Sequence, residues 1–272
     1  MRRRQVLVVA AAAAVLLGAG CAQAAPATTT TAMPSTTPVA TSAAAAGAAG
    51  TWRAAIEVPG TGALNKGGDA VVNSLSCGSA GNCAAVGHYT DGSGHRQAFV
   101  ASETNGTWHA AIEVPGTAAL NKGGRADVLS VSCPSAGNCA AGGRFTDGSG
   151  HIQAFVASET NGTWHAAFEV PGTAALNKRG DAWVHSLSCA PAGNCAAGGS
   201  YKDGSRHMQA FVASETNGTW HAAIEVPGTA TLNKGGSASV LSVSCASAGS
   251  CAAGGSYTDR SGHSQAFVAS QT

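Results

Sequence analysis

The amino-acid sequence predicts an all-β protein whose folded part, residues 51–272, is a four-bladed β-propeller. One unit recurs four times with a fixed period of 56 residues, which indicates a repeat architecture. Each unit contains short apolar segments separated by turn sequences, the pattern of a four-stranded antiparallel meander, and repeated meanders form propeller blades. Only 11% of residues are charged and 5% aromatic, and such small side chains suit closely stacked sheets better than a leucine-rich helical core.

Residues 1–24 have the features of an export signal. The basic residues Arg2–Arg4 precede an apolar run at 6–20, and small residues at 22–24 suit a signal peptidase. Alternatively, the sequence LLGAGC resembles a bacterial lipobox, which would make Cys21 a lipidated N-terminus. Both alternatives place the mature chain outside the cytoplasm, either secreted or anchored to the outer face of a bacterial membrane, where disulfides persist.

A tether is predicted between this signal and the repeats. Residues 25–50 are rich in Thr, Ala and Pro, carry no charge and contain almost no large apolar side chain. Such a segment cannot bury enough surface to offset the entropy of ordering it, so we expect it to be disordered.

Within each unit the sequence predicts four strands and no helix. In the second copy the strands are 128–133, 139–145, 152–160 and 163–170. The third and fourth strands are joined by Asn161-Gly162, the sequence of a two-residue type I′ hairpin turn.

The hairpin turn also predicts the pairing of the third and fourth strands. Counting outward from the turn places Glu159 opposite Trp164 and Phe155 opposite Phe168. Large apolar residues then meet as cross-strand pairs, each stabilising the sheet by roughly 0.2–1 kcal/mol.

The two ends of the repeat region predict how the ring closes. It begins with a lone fourth strand, 51–58, and ends after a third strand, 265–272. We expect these N- and C-terminal strands to pair in one blade, which removes two sheet edges. Phe267 would then lie opposite Ile56, with Trp52 near the end of that strand. The alternative is an open array whose edge strands pair with a second chain, giving eight blades in a dimer.

Eight cysteines recur as four C-x5-C pairs. Each pair joins the end of a first strand to the start of a second, which brings opposed strand ends within disulfide distance. A zinc site would be expected to show C-x2-C spacing and companion histidines, which these pairs lack. We therefore predict four disulfides, each within one unit. They are Cys77–Cys83, Cys133–Cys139, Cys189–Cys195 and Cys245–Cys251.

The core S-[VL]-S-C…C-A-A-x-G followed by N-G-T-W resembles secreted β-propeller repeats of actinobacterial proteins, over residues 51–272. This resemblance implies an architecture and no particular chemistry. The segment SETNGTW is also similar to the Asp-box of sialidase-type propellers, but it lacks the Asp, and its Gly lies one place closer to the Trp. Sialidase catalysis would imply an arginine cluster and a Tyr–Glu nucleophile. The arginines are few and none recurs in register, so we expect no sialidase activity.

A polar face is predicted from two recurring loops. The turn between the second and third strands carries an Asp and a His, and the loop linking successive units carries a Lys. In a propeller these loops lie on one face, which with its neighbouring aromatic residues suits recognition of a sugar or peptide. The alternative is that D-G-S-G is simply a turn sequence. The candidate residues are Lys66, Asp91, His95, Lys122, Asp147, His151, Lys178, Asp203, His207, Lys234, Asp259 and His263.

Charge and motifs together predict a class of function. The formal charge is +1, and without Arg2–Arg4 the 12 remaining basic residues face 14 acidic ones, a net of −2. The chain therefore lacks the excess of basic residues that binding to DNA or RNA requires. No catalytic set, metal site or cofactor motif emerges, and departures from the repeat such as Trp183, His185 and Arg206 look scattered.

We therefore predict an exported, monomeric module that is not an enzyme and that binds a glycan or a surface protein. It would touch a membrane only through a lipid anchor. The alternative is an extracellular hydrolase or lyase of the propeller type.

Overall fold

The computed structural model describes residues 50–271, and residues 54–272 form one compact unit. The predicted export signal, the tether up to residue 49 and the lipidation of Cys21 lie outside the described residues. Among those that are described, no helix is long and apolar enough to cross a membrane.

The all-β prediction is confirmed: the protein is a propeller-type array of four antiparallel meanders. In each, the first strand pairs with the second and the second with the third, and in the first three copies short segments of a fourth strand pair with the third. The elements in chain order are α1 (Thr61–Leu64), β1 (Ala70–Ser79), β2 (Asn82–Thr90), β3 (Arg96–Thr104), β4 (Thr107–Trp108), β5 (Ile112–Glu113), α2 (Thr117–Leu120), β6 (Ala126–Ser135), β7 (Asn138–Thr146), β8 (Ile152–Thr160), β9 (Thr163–Trp164), β10 (Phe168–Glu169), α3 (Thr173–Leu176), β11 (Ala182–Cys189), β12 (Cys195–Lys202), β13 (Met208–Thr216), β14 (Thr219–Trp220), β15 (Ile224–Glu225), α4 (Thr229–Leu232), β16 (Ala238–Ser247), β17 (Ser250–Thr258) and β18 (Ser264–Ser270).

Successive meanders stack face to face through their first strands, β1 against β6, β6 against β11 and β11 against β16. The core between them consists mainly of Val and Ala, with Phe99, Phe155 and Phe211 fully buried. Small residues are required where strands approach closely: a side chain on Gly143 would collide with the main-chain oxygen of Asp127.

The predicted hairpin turn and the predicted disulfides are confirmed. Asn161 and Gly162 both have positive φ, 50° and 77°, and Glu159 pairs with Trp164. All four disulfides form within their own repeats, with Cα–Cα distances of 3.9, 4.1, 4.0 and 4.0 Å. They link the first and second strands of each copy.

Beyond that turn, the register of the fourth strand differs from the prediction by one residue. Phe168 pairs with Val156, not with Phe155. The cause is one extra residue between β9 and β10, where the N–H of Ala167 is donated to the carbonyl of Pro115 in the preceding repeat at 2.7 Å. The neighbouring repeat stabilises this extra residue. Counting residues outward from the hairpin turn cannot take such a contact into account.

Each linking loop contains one turn of helix, although the sequence predicted none. Gly116 has a φ of 83° and precedes α2. The Thr117 hydroxyl then donates to the carbonyl of Val114 at 2.7 Å, with Glu113 Oε1 as a second acceptor at 3.2 Å. Four residues are too few to show a helical period in the sequence.

The predicted pairing of the terminal strands is not formed. Residues 51–58 contain no strand, β18 pairs with β17 alone among residues 50–271, and Ile56 is 68% exposed. The physical reason is that every interface joins two neighbouring repeats and is complete without the ends meeting. Four stacked repeats therefore leave one uncovered face at each end.

Candidate functional site

The structure brings the predicted loop residues to one edge of the blades. Gly92 of the β2–β3 turn lies against the Lys66 side chain, and Gly124 of the next linking loop lies against the His95 ring. The same contacts, of a turn glycine with a lysine and of a loop glycine with a histidine, recur in later copies. Whether this edge binds a ligand stays a prediction.

In each of these turns the Asp holds the main chain in place. Asp91 Oδ1 accepts the main-chain N–H groups of Ser93 and His95 at 2.8 and 3.0 Å, and Oδ2 accepts the Gln97 amide at 2.9 Å. The Gln97 bond is the main cause that lowers the pKa of Asp91. The same main-chain bonds form at Asp147, Asp203 and Asp259.

A second group of polar residues lies at the same end of the blades and was missed by sequence analysis. Its centre is Asp127 on β6, which is only 2% exposed. Arg144 Nε donates to Asp127 Oδ2 at 2.8 Å, and Arg96 Nη1 donates to Oδ1 at 3.2 Å. Arg125 Nε lies 3.6 Å from Oδ2. The charged cluster, as we name it, consists of Asp69, His88, Arg96, Arg125, Asp127 and Arg144.

His88 lies between the two carboxylates of the charged cluster. Its Nδ1 is 3.4 Å from Asp127 Oδ1 and its Nε2 is 3.5 Å from Asp69 Oδ2, and both ring nitrogens are buried without a well-formed hydrogen bond. Burial lowers the pKa of His88, as does the charge of Arg96, against the opposing effects of Asp127 and Asp69. The imidazole is therefore neutral at neutral pH, with one nitrogen able to accept a proton.

Asp127 is held in its carboxylate form at neutral pH. Burial alone would raise its pKa, but the hydrogen bond and charge of Arg144 and the charge of Arg96 outweigh burial and lower the pKa. On its other side the Arg144 guanidinium lies 3.5 Å from the centre of the Trp183 ring. Asp127 and Arg144 thus form the buried, structurally fixed part of the charged cluster.

The opposite side of the charged cluster is open to solvent. The Arg125 side chain is 51% exposed and that of Asp69 is 50% exposed, while Arg96 is partly exposed. The main chains of Arg96 and Arg125 are joined by a parallel bridge, which keeps their side chains together. Within residues 50–271, no group of three or more His, Cys, Asp or Glu could hold a metal ion.

The departures from the repeat are not all scattered: Trp183 packs on Arg144, and further positions at which the copies differ meet in this cluster. The position of Asp127 is occupied by Val71, Trp183 and Ser239 in the other copies, and that of His88 by Arg144, Ser200 and Ser256. Stacking places unlike residues of neighbouring copies in contact. Comparing the four copies position by position would have revealed them.

Tyr–Glu pairs are also present, but they are structural. Tyr89 Oη lies 3.5 Å from Glu113 Oε2, and Tyr201 Oη donates to Glu225 Oε2 at 3.2 Å. Burial and the neighbouring Glu113 raise the pKa of Tyr89 to about 12. A nucleophile would need the opposite shift.

Cavities of about 400 Å³ lie between successive repeats near the other end of the strands. Both are lined by Glu159, whose pKa is raised by burial and whose Oε1 accepts the Ser102 hydroxyl at 2.9 Å. The equivalent residue of the last copy, Gln271, bonds to Ser214 at 3.3 Å. Because an amide serves equally well there, this position holds repeats together rather than supplying an acid.

Neither a family model nor a curated protein matches the chain. Among solved structures, it is similar to the Hadza microbial sialidase Hz136, with a TM-score of 0.49 and 11% identity over 74% of this chain and 44% of that one. It is also similar to a subtype N11 neuraminidase-like protein of A/flat-faced bat/Peru/033/2010 (H18N11), with a TM-score of 0.37 and 14% identity over 72% of this chain and 53% of that one. The chain spans about half the length of these structures.

The prediction that the protein is not an enzyme is wrong. The structures that stand against this prediction, and to which the chain is similar, are a sialidase and a neuraminidase-like protein. At these identities the likeness concerns the fold alone. The four disulfides indicate an extracellular protein.

Proposed function

We propose that the protein is an extracellular hydrolase that cleaves glycosides of carboxylated sugars. The observation that supports it is the charged cluster, in which exposed arginines stand beside a neutral, buried histidine held between two carboxylates. Clustered groups with perturbed pKa values are typical of catalytic sites.

Arg125 would bind the carboxylate of the sugar, and Arg96, whose Nη atoms are bonded to Asp127 and Asp69, would hold its positive charge beside it. A guanidinium presents a planar fork of N–H donors that matches a carboxylate, and both side chains reach solvent. Arg144 is already engaged by Asp127 and Trp183, so it supports the site without contacting the substrate.

His88 would act as the general base. Asp127 faces Nδ1 and orients the ring, while Nε2 points towards the half-exposed Asp69. Because Nε2 is buried behind the half-exposed Asp69, that side chain has to move aside for a water molecule to reach it. The water gives its proton to Nε2, and its oxygen attacks the anomeric carbon. The glycosidic bond breaks, and the departing oxygen takes a proton from solvent beside Asp69.

The test is hydrolysis of a panel of fluorogenic glycosides, with carboxylated sugars and their neutral counterparts, by the wild type and by His88→Ser. Serine occupies the same position in the third and fourth copies, so the backbone tolerates it. We expect the wild type to cleave only the carboxylated glycosides and the variant to be slower by roughly 10²–10⁴-fold. Folded wild-type protein that cleaves none of them, or a fully active variant, would overturn the proposal.

A further inference from the structure

The first repeat exposes an apolar face that is buried in every other copy. Leu75 is 55% exposed, and Val72 is exposed to a similar degree. The residues equivalent to Leu75 are at most 9% exposed, because the preceding repeat covers them. These residues are Val131, Leu187 and Val243. We call the surface of Val72, Leu75, the Cys77 main chain and Glu103 the start face.

The fourth repeat exposes the complementary face. Val268 is 87% exposed, whereas the following repeat completely buries its equivalents Val100 and Val156 and partly buries the third, Val212. Ser242 and Ser244 of β16 and Ser270 at the end of β18 lie in the same repeat, and all three are exposed. We call the surface of Val268 and these three serines the end face.

The three interfaces between repeats share their bonds from main-chain N–H groups to serines. A serine of one first strand accepts the main-chain N–H of a cysteine in the next repeat, at 3.0 Å in all three interfaces: Cys133 to Ser76, Cys189 to Ser132 and Cys245 to Ser188. A second serine accepts the N–H two residues earlier, as Ser130 does from Leu187 at 3.0 Å. A third, Ser102, donates to Glu159 of the next repeat at 2.9 Å.

The end face and the start face carry the two halves of a fourth such interface. The position of Ser76 is occupied in the last repeat by Ser244, that of Ser74 by Ser242 and that of Ser102 by Ser270. Their partners on the start face would be the N–H groups of Cys77 and Leu75 and the Glu103 carboxylate. Within residues 50–271, no repeat lies against either face.

We propose that a second copy of this chain docks head to tail, its start face against the end face of the first. Residues 54–58 of the second copy would also extend β18, because the observed register of the other blades pairs the equivalents of Val268 and Ile56. The contact is heterologous and repeats the geometry of the three interfaces inside the chain. This assembly replaces the expectation of a monomer.

The test is the molar mass of the full chain in solution, measured by light scattering across a concentration series. Wild type should form dimers or longer assemblies. Leu75→Glu on the start face and Val268→Glu on the end face should each be monomeric and folded, because both side chains are exposed within one chain. Leu232→Glu, at an exposed position of α4, is the control and should assemble like wild type.

Mixing the two monomeric variants tests the direction of the contact. Each variant retains one intact face, so the mixture should form dimers that stop at two copies. A monomeric wild type would overturn the proposal, as would a mixture that stays monomeric. Loss of assembly with only one of the two variants would also overturn it, because that indicates a contact between like faces.

Discussion

Arg144 lies with its guanidinium carbon 3.5 Å from the centre of the Trp183 ring, across the interface between the second and third repeats. In the preceding interface the equivalent pair is His88 and Asp127, 3.4 Å apart. One structural position is therefore filled by a cation on an aromatic ring in one interface and by an imidazole on a carboxylate in the interface before it. The backbone fold is repeated from copy to copy, but the side chains that meet at this position differ between the interfaces.

Asp127→Asn should strongly destabilise the protein. The substitution removes the carboxylate that neutralises Arg144 and Arg96 and leaves buried positive charge without a partner, which costs about 3–5 kcal/mol of unfolding free energy. Asp69→Asn is the control: its carboxylate is half exposed, and its loss should cost less than about 1 kcal/mol. Urea unfolding of both variants measures the difference, and equal costs would contradict a buried Asp127.

Local features of this fold could be predicted from the sequence. The turn at Asn161-Gly162 depends on two residues that adopt positive φ, and each disulfide on a spacing of six. The register of β10 could not be predicted, because the N–H of Ala167 bonds to Pro115 in another repeat. The stacking of repeats also determines whether the terminal strands pair. The sequence predicted that they pair and close a ring, and they do not.

The charged cluster escaped prediction for a related reason. Its members come from different strands of two neighbouring repeats, so no spacing along the chain identifies them. A search for residues that recur in register finds the turn Asp residues, which hold main-chain N–H groups. Such a search does not detect positions at which the copies differ, such as that of Asp127.

Asn177→Ala should destabilise the third linking loop more than Lys178→Ala. The buried Asn177 amide donates to the Ile152 carbonyl and to Gln153 at 2.9 Å each, and its oxygen accepts the Asp181 N–H at 2.7 Å. Losing these bonds should cost about 2 kcal/mol. The exposed Lys178 should contribute within about 0.5 kcal/mol. Thermal unfolding checks the order, and a larger effect of the lysine would contradict it.

The four disulfides should open in an order set by burial. Cys133 and Cys139 are both 7% exposed, whereas Cys77, in the uncovered first repeat, is exposed. Limited reduction of the monomeric Val268→Glu variant, followed by alkylation and peptide mapping, should find Cys77–Cys83 opened first and Cys133–Cys139 later. The reverse order would show that the first repeat is covered.

The rate of hydrolysis should fall in acid as His88 takes up a proton. Because burial lowers its pKa, the midpoint of this fall should lie below the ordinary histidine value of about 6.5. Asp69 raises the pKa of His88, so Asp69→Asn should move the midpoint to still lower pH. A midpoint at or above 6.5, or a shift towards higher pH in the variant, would contradict His88 as the base.

The proposed function depends most directly on Arg125, whose exposed side chain would bind the substrate carboxylate. The decisive measurement is kcat/KM on a carboxylated glycoside for Arg125→Ser, which introduces the residue found at this position in the fourth copy, Ser237. Losing a hydrogen bond to a charged group costs about 1.5–3 kcal/mol, so kcat/KM should fall by roughly 10- to 100-fold, mainly through KM. Arg260→Ser, which removes an exposed arginine from the last repeat, should leave it unchanged. Equal values for wild type and Arg125→Ser, or equal losses in the two variants, would contradict the charged cluster as the active site.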